Sequence, residues 1–76
     1  MEFTILGIER KVGEYQGRNY DNTVLHCAYD KEHMDAGCAV TSIKVKTERI
    51  DEPIKVGDRV TFFYDQYGNV LQVNIK

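Results

Sequence analysis

Tyrosines interleaved with basic residues are the feature of this 76-residue sequence with the clearest chemical use. Tyr15, Arg18 and Tyr20 flank Gln16-Gly17, and Tyr67 stands between Gln66 and Gly68. Aromatic rings stack on unpaired bases while ammonium and guanidinium groups track phosphates, each stacked base contributing ~1–3 kcal/mol. On an extended strand Arg18 and Tyr20 share a face, as do Lys44 and Lys46, because side chains alternate with period two. The expected nucleic-acid contacts are therefore stacking on Tyr20 and Tyr67, with phosphate contacts from Arg18, Lys44, Lys46 and Arg10. Tyrosine is also a common amphipathic strand residue, so each ring taken singly has a purely structural explanation. The conjunction with basic residues is what points to a ligand.

Two other chemistries are tested and set aside. His26, Cys27, His33 and Cys38 are metal-ligand types in a short span. As strand neighbours, however, His26 and Cys27 point to opposite faces and cannot share one tetrahedral ion. Cys27 reads as a small buried apolar residue and His33 as a solvated loop residue, and no metal or cofactor is expected. There is no serine-hydrolase elbow, phosphate-cradling glycine loop or metalloprotease helix, and the acids Asp51-Glu52 fall in a polar loop. The expectation is a protein without catalytic machinery.

The formal charge of −2 runs against nucleic-acid binding if taken as a sum. Its distribution is more informative. Arg10, Lys11 and Arg18 lie in one segment, Lys44, Lys46 and Arg49 in another, and the acids Asp30, Glu32 and Asp35 cluster between them. The segment Met1–Ile8 carries Glu2 and lacks a basic n-region, and no stretch approaches the ~20 apolar residues of a spanning helix. A cytoplasmic location with reduced thiols is expected.

The elements that must position these residues are strands. Period-two alternation predicts them over Glu2–Lys11, Tyr20–Tyr29, Val40–Thr47, Arg59–Tyr64 and Val70–Ile75. Leu25, Cys27 and Tyr29 take one face of the second strand and Val24, His26 and Ala28 the other. Ile43 and Val45 face inward on the third, with Lys44 and Lys46 outward, and Leu71, Val73 and Ile75 share a face of the fifth. Glu14–Arg18 and Gln66–Asn69 read as hairpin loops in which Gly17 and Gly68 can take positive φ, with Gln16 helping to shape the first turn. Lys31–Gly37 reads as one helical turn or an irregular loop. Five short strands in one domain spanning 1–76 predict an all-β, five-stranded OB-type Greek-key barrel, with an SH3-like barrel as the rival topology.

Gln16-Gly17-Arg18-Asn19-Tyr20, followed by Leu25-His26-Cys27, resembles the Gln-Gly-basic-x-Tyr and Leu-Cys stretch of the filamentous-phage gene V type helix-destabilising proteins. Gln66-Tyr67-Gly68-Asn69 is similar to the Gln-aromatic-Gly hairpin tip of that family, and Val56-Gly57 to the turn before its fourth strand. This chain departs from the pattern in its shorter length, in His26 between Leu25 and Cys27, and in its acidic net charge. The resemblance implies an OB-type barrel that acts as a two-fold dimer and coats single-stranded DNA with little sequence preference. It places Arg18, Tyr20 and Tyr67 at the DNA surface. The expected function is that of a DNA-binding, helix-destabilising protein of phage, plasmid or other mobile-element type, serving DNA replication as a homodimer. The alternatives are RNA binding on the same fold and a small protein-interaction barrel that takes a peptide or a partner's strand.

Overall fold

Alternating apolar residues do produce five strands, and their lengths are decided by the turns that join them. The structure, a computed structural model, describes every residue from Met1 to Lys76. The strands are β1 (Phe3–Tyr15), β2 (Arg18–Tyr29), β3 (Ala39–Lys46), β4 (Arg59–Tyr64) and β5 (Val70–Ile75), with a 3₁₀ turn at Thr47–Arg49. β1 runs on past the expected end at Lys11, and β2 begins two residues before Tyr20. The cause is the turn. Gln16 and Gly17 both take positive φ, 51° and 78°, which makes the two-residue connection whose twist matches the flanking strands. The expected five-residue loop therefore closes into a hairpin paired right up to Tyr15 and Arg18.

All the ladders are antiparallel and the strands form one sheet in the order β3-β2-β1-β4-β5. The edge strands β3 and β5 touch, but no ladder joins them. β1 meets β4 only at Phe3 and Thr4. The β1–β2 hairpin continues beyond the end of β3 as a two-stranded ribbon and gives the molecule its elongated form, 46 × 27 × 22 Å.

The core is small. Ile5, Leu25, Cys27, Val45, Val60, Phe62, Val70 and Val73 form it, flanked by half-buried Phe3, Ile43, Ile50, Ile54 and Ile75. Phe3 is the aromatic hinge of this cluster, its ring tilted against those of Phe62 (5.1 Å) and Tyr29 (5.6 Å). Burial in the core also pushes the Cys27 thiol up from its ordinary pKa, so it stays protonated.

Two bulges set which side chains face this core. In β1, Ile5 pairs Cys27 and Gly7 pairs His26, leaving Leu6 without an opposite residue. Every residue after Leu6 is thereby turned to the face that uninterrupted alternation would deny it. In β5, Phe63 pairs Gln72 and Tyr64 pairs Val70, so the extra residue is Leu71. Val70 and Val73 enter the core, while Leu71 is exposed and does not share an inward face with Val73 as alternation predicts. Lys31–Gly37 contains turns and bends and no helix. β3 ends at Lys46 because Thr47 opens the 3₁₀ turn.

Candidate nucleic-acid interface

The register of the ribbon sorts its residues onto two faces. Residues paired across an antiparallel ladder project to the same side, so Tyr15 and Arg18, Gly13 and Tyr20, Lys11 and Asn22, and Glu9 and Val24 share one face. The β2–β3 ladder extends that face through Asn22 to Lys46, Val24 to Lys44 and His26 to Ser42. This outer face therefore carries Lys11, Arg18, Lys44 and Lys46 beside the rings of Tyr15 and Tyr20. None of the four cations takes part in an ion pair. The acid on this stretch of the face, Glu9, is occupied by His26: its Oε1 lies 2.5 Å from Nε2, while the other ring nitrogen meets Ser42 Oγ at 3.0 Å. That hydrogen bond holds the Glu9 carboxyl below its usual range.

Arg10 is on the opposite face. Uninterrupted alternation from Phe3 and Ile5 would put it outward, and the bulge at Leu6 reverses this, bringing Lys11 out in its place. Asp21 takes the Arg10 guanidinium in two-point fashion, at 3.0 Å to Nε and 2.5 Å to Nη2, and also accepts a bond from Thr47 Oγ1 at 2.7 Å. Thr47 Oγ1 meets Thr23 Oγ1 at 2.9 Å, so the network ties the ribbon to the 3₁₀ turn. The Arg10 hydrogen bonds, followed by that from Thr47, bring Asp21 down to about 2.

Gly13 explains the pose of Tyr20. A Cβ built on Gly13 would lie 2.5 Å from Tyr20 Oη and 2.7 Å from Cζ, so the ring rests directly over the glycine across the ladder. Without a side chain there, the ring lies along the strand surface and Tyr20 stays 42% exposed. Neither Gly13 nor Lys11 was distinguishable as a site residue before the register was known.

Tyr20 borders two concavities on this face, and a third, of about 570 Å³, runs from it and Lys46 round to Val12, Asp21 and Glu48. One, of about 360 Å³, is lined by Tyr20, Asn22, Lys44, Lys46 and Arg49 on one side and by the end of the β4–β5 hairpin, Asp65 and Asn69 to Leu71, on the other. The second joins Tyr20 to Tyr15 and Arg18. Tyr20, Lys44, Lys46 and Arg18 are thus brought onto one continuous surface.

Tyr67 stands at the tip of the hairpin that walls the first concavity, 80% exposed. Its turn is built by Asp65, whose Oδ1 accepts the backbone N–H groups of Tyr67 (2.8 Å) and Asn69 (2.9 Å), while Gly68 takes a φ of 82°. These bonds, that from Asn69 foremost, hold the Asp65 carboxyl below its ordinary pKa, with Arg49 adding to the effect. Gln16 and Gly17 form the ribbon's turn, as Gly68 does in the other hairpin. No group of three or more His, Cys, Asp or Glu side chains converges in a way that could hold a metal ion. No helix is long and apolar enough to cross a membrane. Comparison with family models, with curated proteins and with solved structures finds no match for this chain.

Proposed function

We propose that this chain binds single-stranded nucleic acid, DNA in the first instance, along the outer face of β1–β2–β3. The separation of charge between the two faces of the ribbon carries this function. A net charge of −2 is compatible with phosphate binding because the outer face presents Lys11, Arg18, Lys44 and Lys46 free, whereas Asp21 and Glu14 lie on the other side. The bases stack on Tyr20, held open by Gly13, and on Tyr67 at the hairpin tip, while the cations follow the backbone. Such binding is tolerant of sequence, since every base offers a π-face.

The same proposal includes the fold. Pairing of β1 with β4 and the approach of β3 to β5 fit a strand circuit 1-2-3-5-4 of OB type, with its binding face on β2–β3 between the β1–β2 and β4–β5 loops. It also includes kinship with the gene V type helix-destabilising proteins, through Gln16–Tyr20 and Gln66–Asn69. Titration of a fluorescent oligo-dT tests the function: saturable binding that weakens as salt rises supports it. An equal affinity for duplex of the same length counts against a single-strand binder.

A further inference from the structure

The back of the ribbon differs in every respect from its front. Beyond Thr4, β1 has no ladder partner on its β4 side. Tyr15 and Arg18 close a two-residue hairpin, so they form a hydrogen-bonded pair and so does every second pair after them. Ile8, Arg10, Val12 and Glu14 therefore aim their N–H and C=O groups away from β2, into solvent. Their side chains lie on the inner face, where Ile8 is 40% and Val12 66% exposed. Ile8 also lines a groove of about 360 Å³ beneath the ribbon, with Leu25, Ile50, Ile54 and Pro53 as its apolar walls and Asp51 and Glu52 at its rim. Neither acid is in an ion pair, nor is Glu14 on the same face of the ribbon, and the cation Arg10 is already neutralised by Asp21.

We infer that this edge and groove bind an extended segment of a partner protein, which adds to β1 alongside Ile8–Glu14. The open backbone groups supply its ladder, and alternate side chains fall toward the groove. The chemistry of the groove sets the sequence of the segment: apolar residues at i and i+2 to cover Ile8, Ile50 and Ile54, and lysine or arginine at i−2 or i+4 to meet Asp51 and Glu52. Complementary charge selects a basic partner on this side, as the free cations select a polyanion on the other. Because the two surfaces lie on opposite faces of the same ribbon, both can be occupied at once. The inference does not depend on nucleic-acid binding.

The probe is a labelled heptapeptide, Lys-Thr-Ile-Thr-Val-Thr-Lys, followed by fluorescence anisotropy and by isoleucine-methyl NMR. Expected are binding at least about tenfold tighter than that of the same peptide with both lysines replaced by glutamate, or with Ile and Val replaced by serine. Methyl shifts are expected at Ile8, Ile50 and Ile54. The exposed double variant Asp51→Lys, Glu52→Lys is expected to lose about tenfold in peptide affinity without weakening oligo-dT binding. Val12→Pro removes an outward N–H and leaves the β1–β2 ladder its bonds, so it too is expected to lose the peptide. The charge-reversal variant decides the matter if the proline variant does not fold. Equal binding of the acidic peptide, unchanged affinity in the charge-reversed protein, or methyl shifts away from the groove would overturn the proposal. So would absence of peptide binding together with a dimer that Val12→Pro dissociates, which would assign the edge to a second copy of this chain.

Discussion

At the scale of single residues, Gly13 and Tyr20 work as one unit. Gly13→Ala puts a methyl where the tyrosine ring rests, and the ring is a flexible side chain on the surface, so it swings away at small cost to the fold. Gly13→Ala is therefore expected to weaken oligo-dT binding with little change in thermal midpoint, and to have no further effect in a Tyr20→Leu background. A double-mutant cycle on binding reads this coupling directly; additive losses would show that glycine and tyrosine act independently. Tyr20→Leu and Tyr67→Leu are each expected to cost ~1–3 kcal/mol of binding, because leucine keeps bulk but offers no π-face. Tyr67 was legible from its place between Gln66 and Gly68 at a turn. Gly13 was not, since its importance exists only once the two-residue turn aligns it with Tyr20.

Among the elements, the ribbon makes the sharpest distinction, between two adjacent cations. Lys11 faces the proposed ligand and Arg10 faces Asp21, so Lys11→Ala is expected to flatten the salt dependence of binding, whose slope is about −0.7 per phosphate neutralised on a single strand. Arg10→Ala is expected to leave that slope unchanged. Plain alternation favoured Arg10, and nothing in Phe3–Ile8 marks Leu6 as the extra residue; the bulge follows from pairing with Cys27 and His26, which the chain reaches twenty residues later. The same blindness misplaced Leu71 for Val70 in β5. Lys44 and Lys46 were legible because β3 has no bulge between Ile43 and Val45 to disturb its period.

The Arg10–Asp21–Thr47 network makes a further prediction at this scale. Asp21 is held at about 2 in the folded chain, below the ordinary carboxylate value, so the folded state favours its charged form. A depressed carboxylate pKa contributes stability above roughly pH 4, and that stability is lost as pH falls toward 2. Asp21→Asn is expected to lower the thermal midpoint at pH 7 and to flatten the decline of stability between roughly pH 4 and pH 2. Unfolding curves at closely spaced pH values check both. An acid limb as steep in the variant as in the parent would show that other carboxylates control it.

On the scale of the whole molecule, a chain this small buries a limited core, and apolar surface remains outside it. Of the three consecutive aromatics of β4, Phe62 fills the core, whereas Phe63 and Tyr64 stay 55% and 51% exposed. Tyr64 lies on the Phe62 side of the strand, its ring 6.4 Å from that of Phe62, and we propose that Phe63, on the opposite side, enters the contact of a two-fold dimer. Light scattering at high micromolar concentration is expected to report twice the 8.8 kDa chain mass, and Phe63→Ser to return the monomer.

Under the proposed function, charge separated by face is what lets a slightly acidic protein hold a polyanion. The most direct test is a titration of oligo-dT at several salt concentrations with the parent chain and with the Lys44→Ala, Lys46→Ala double variant. Parent affinity is expected to fall log-linearly with salt, and the variant to bind more weakly with a slope shallower by about 1.4, two phosphate contacts fewer. A parent affinity indifferent to salt, or a slope left untouched by loss of both lysines, would contradict binding on this face.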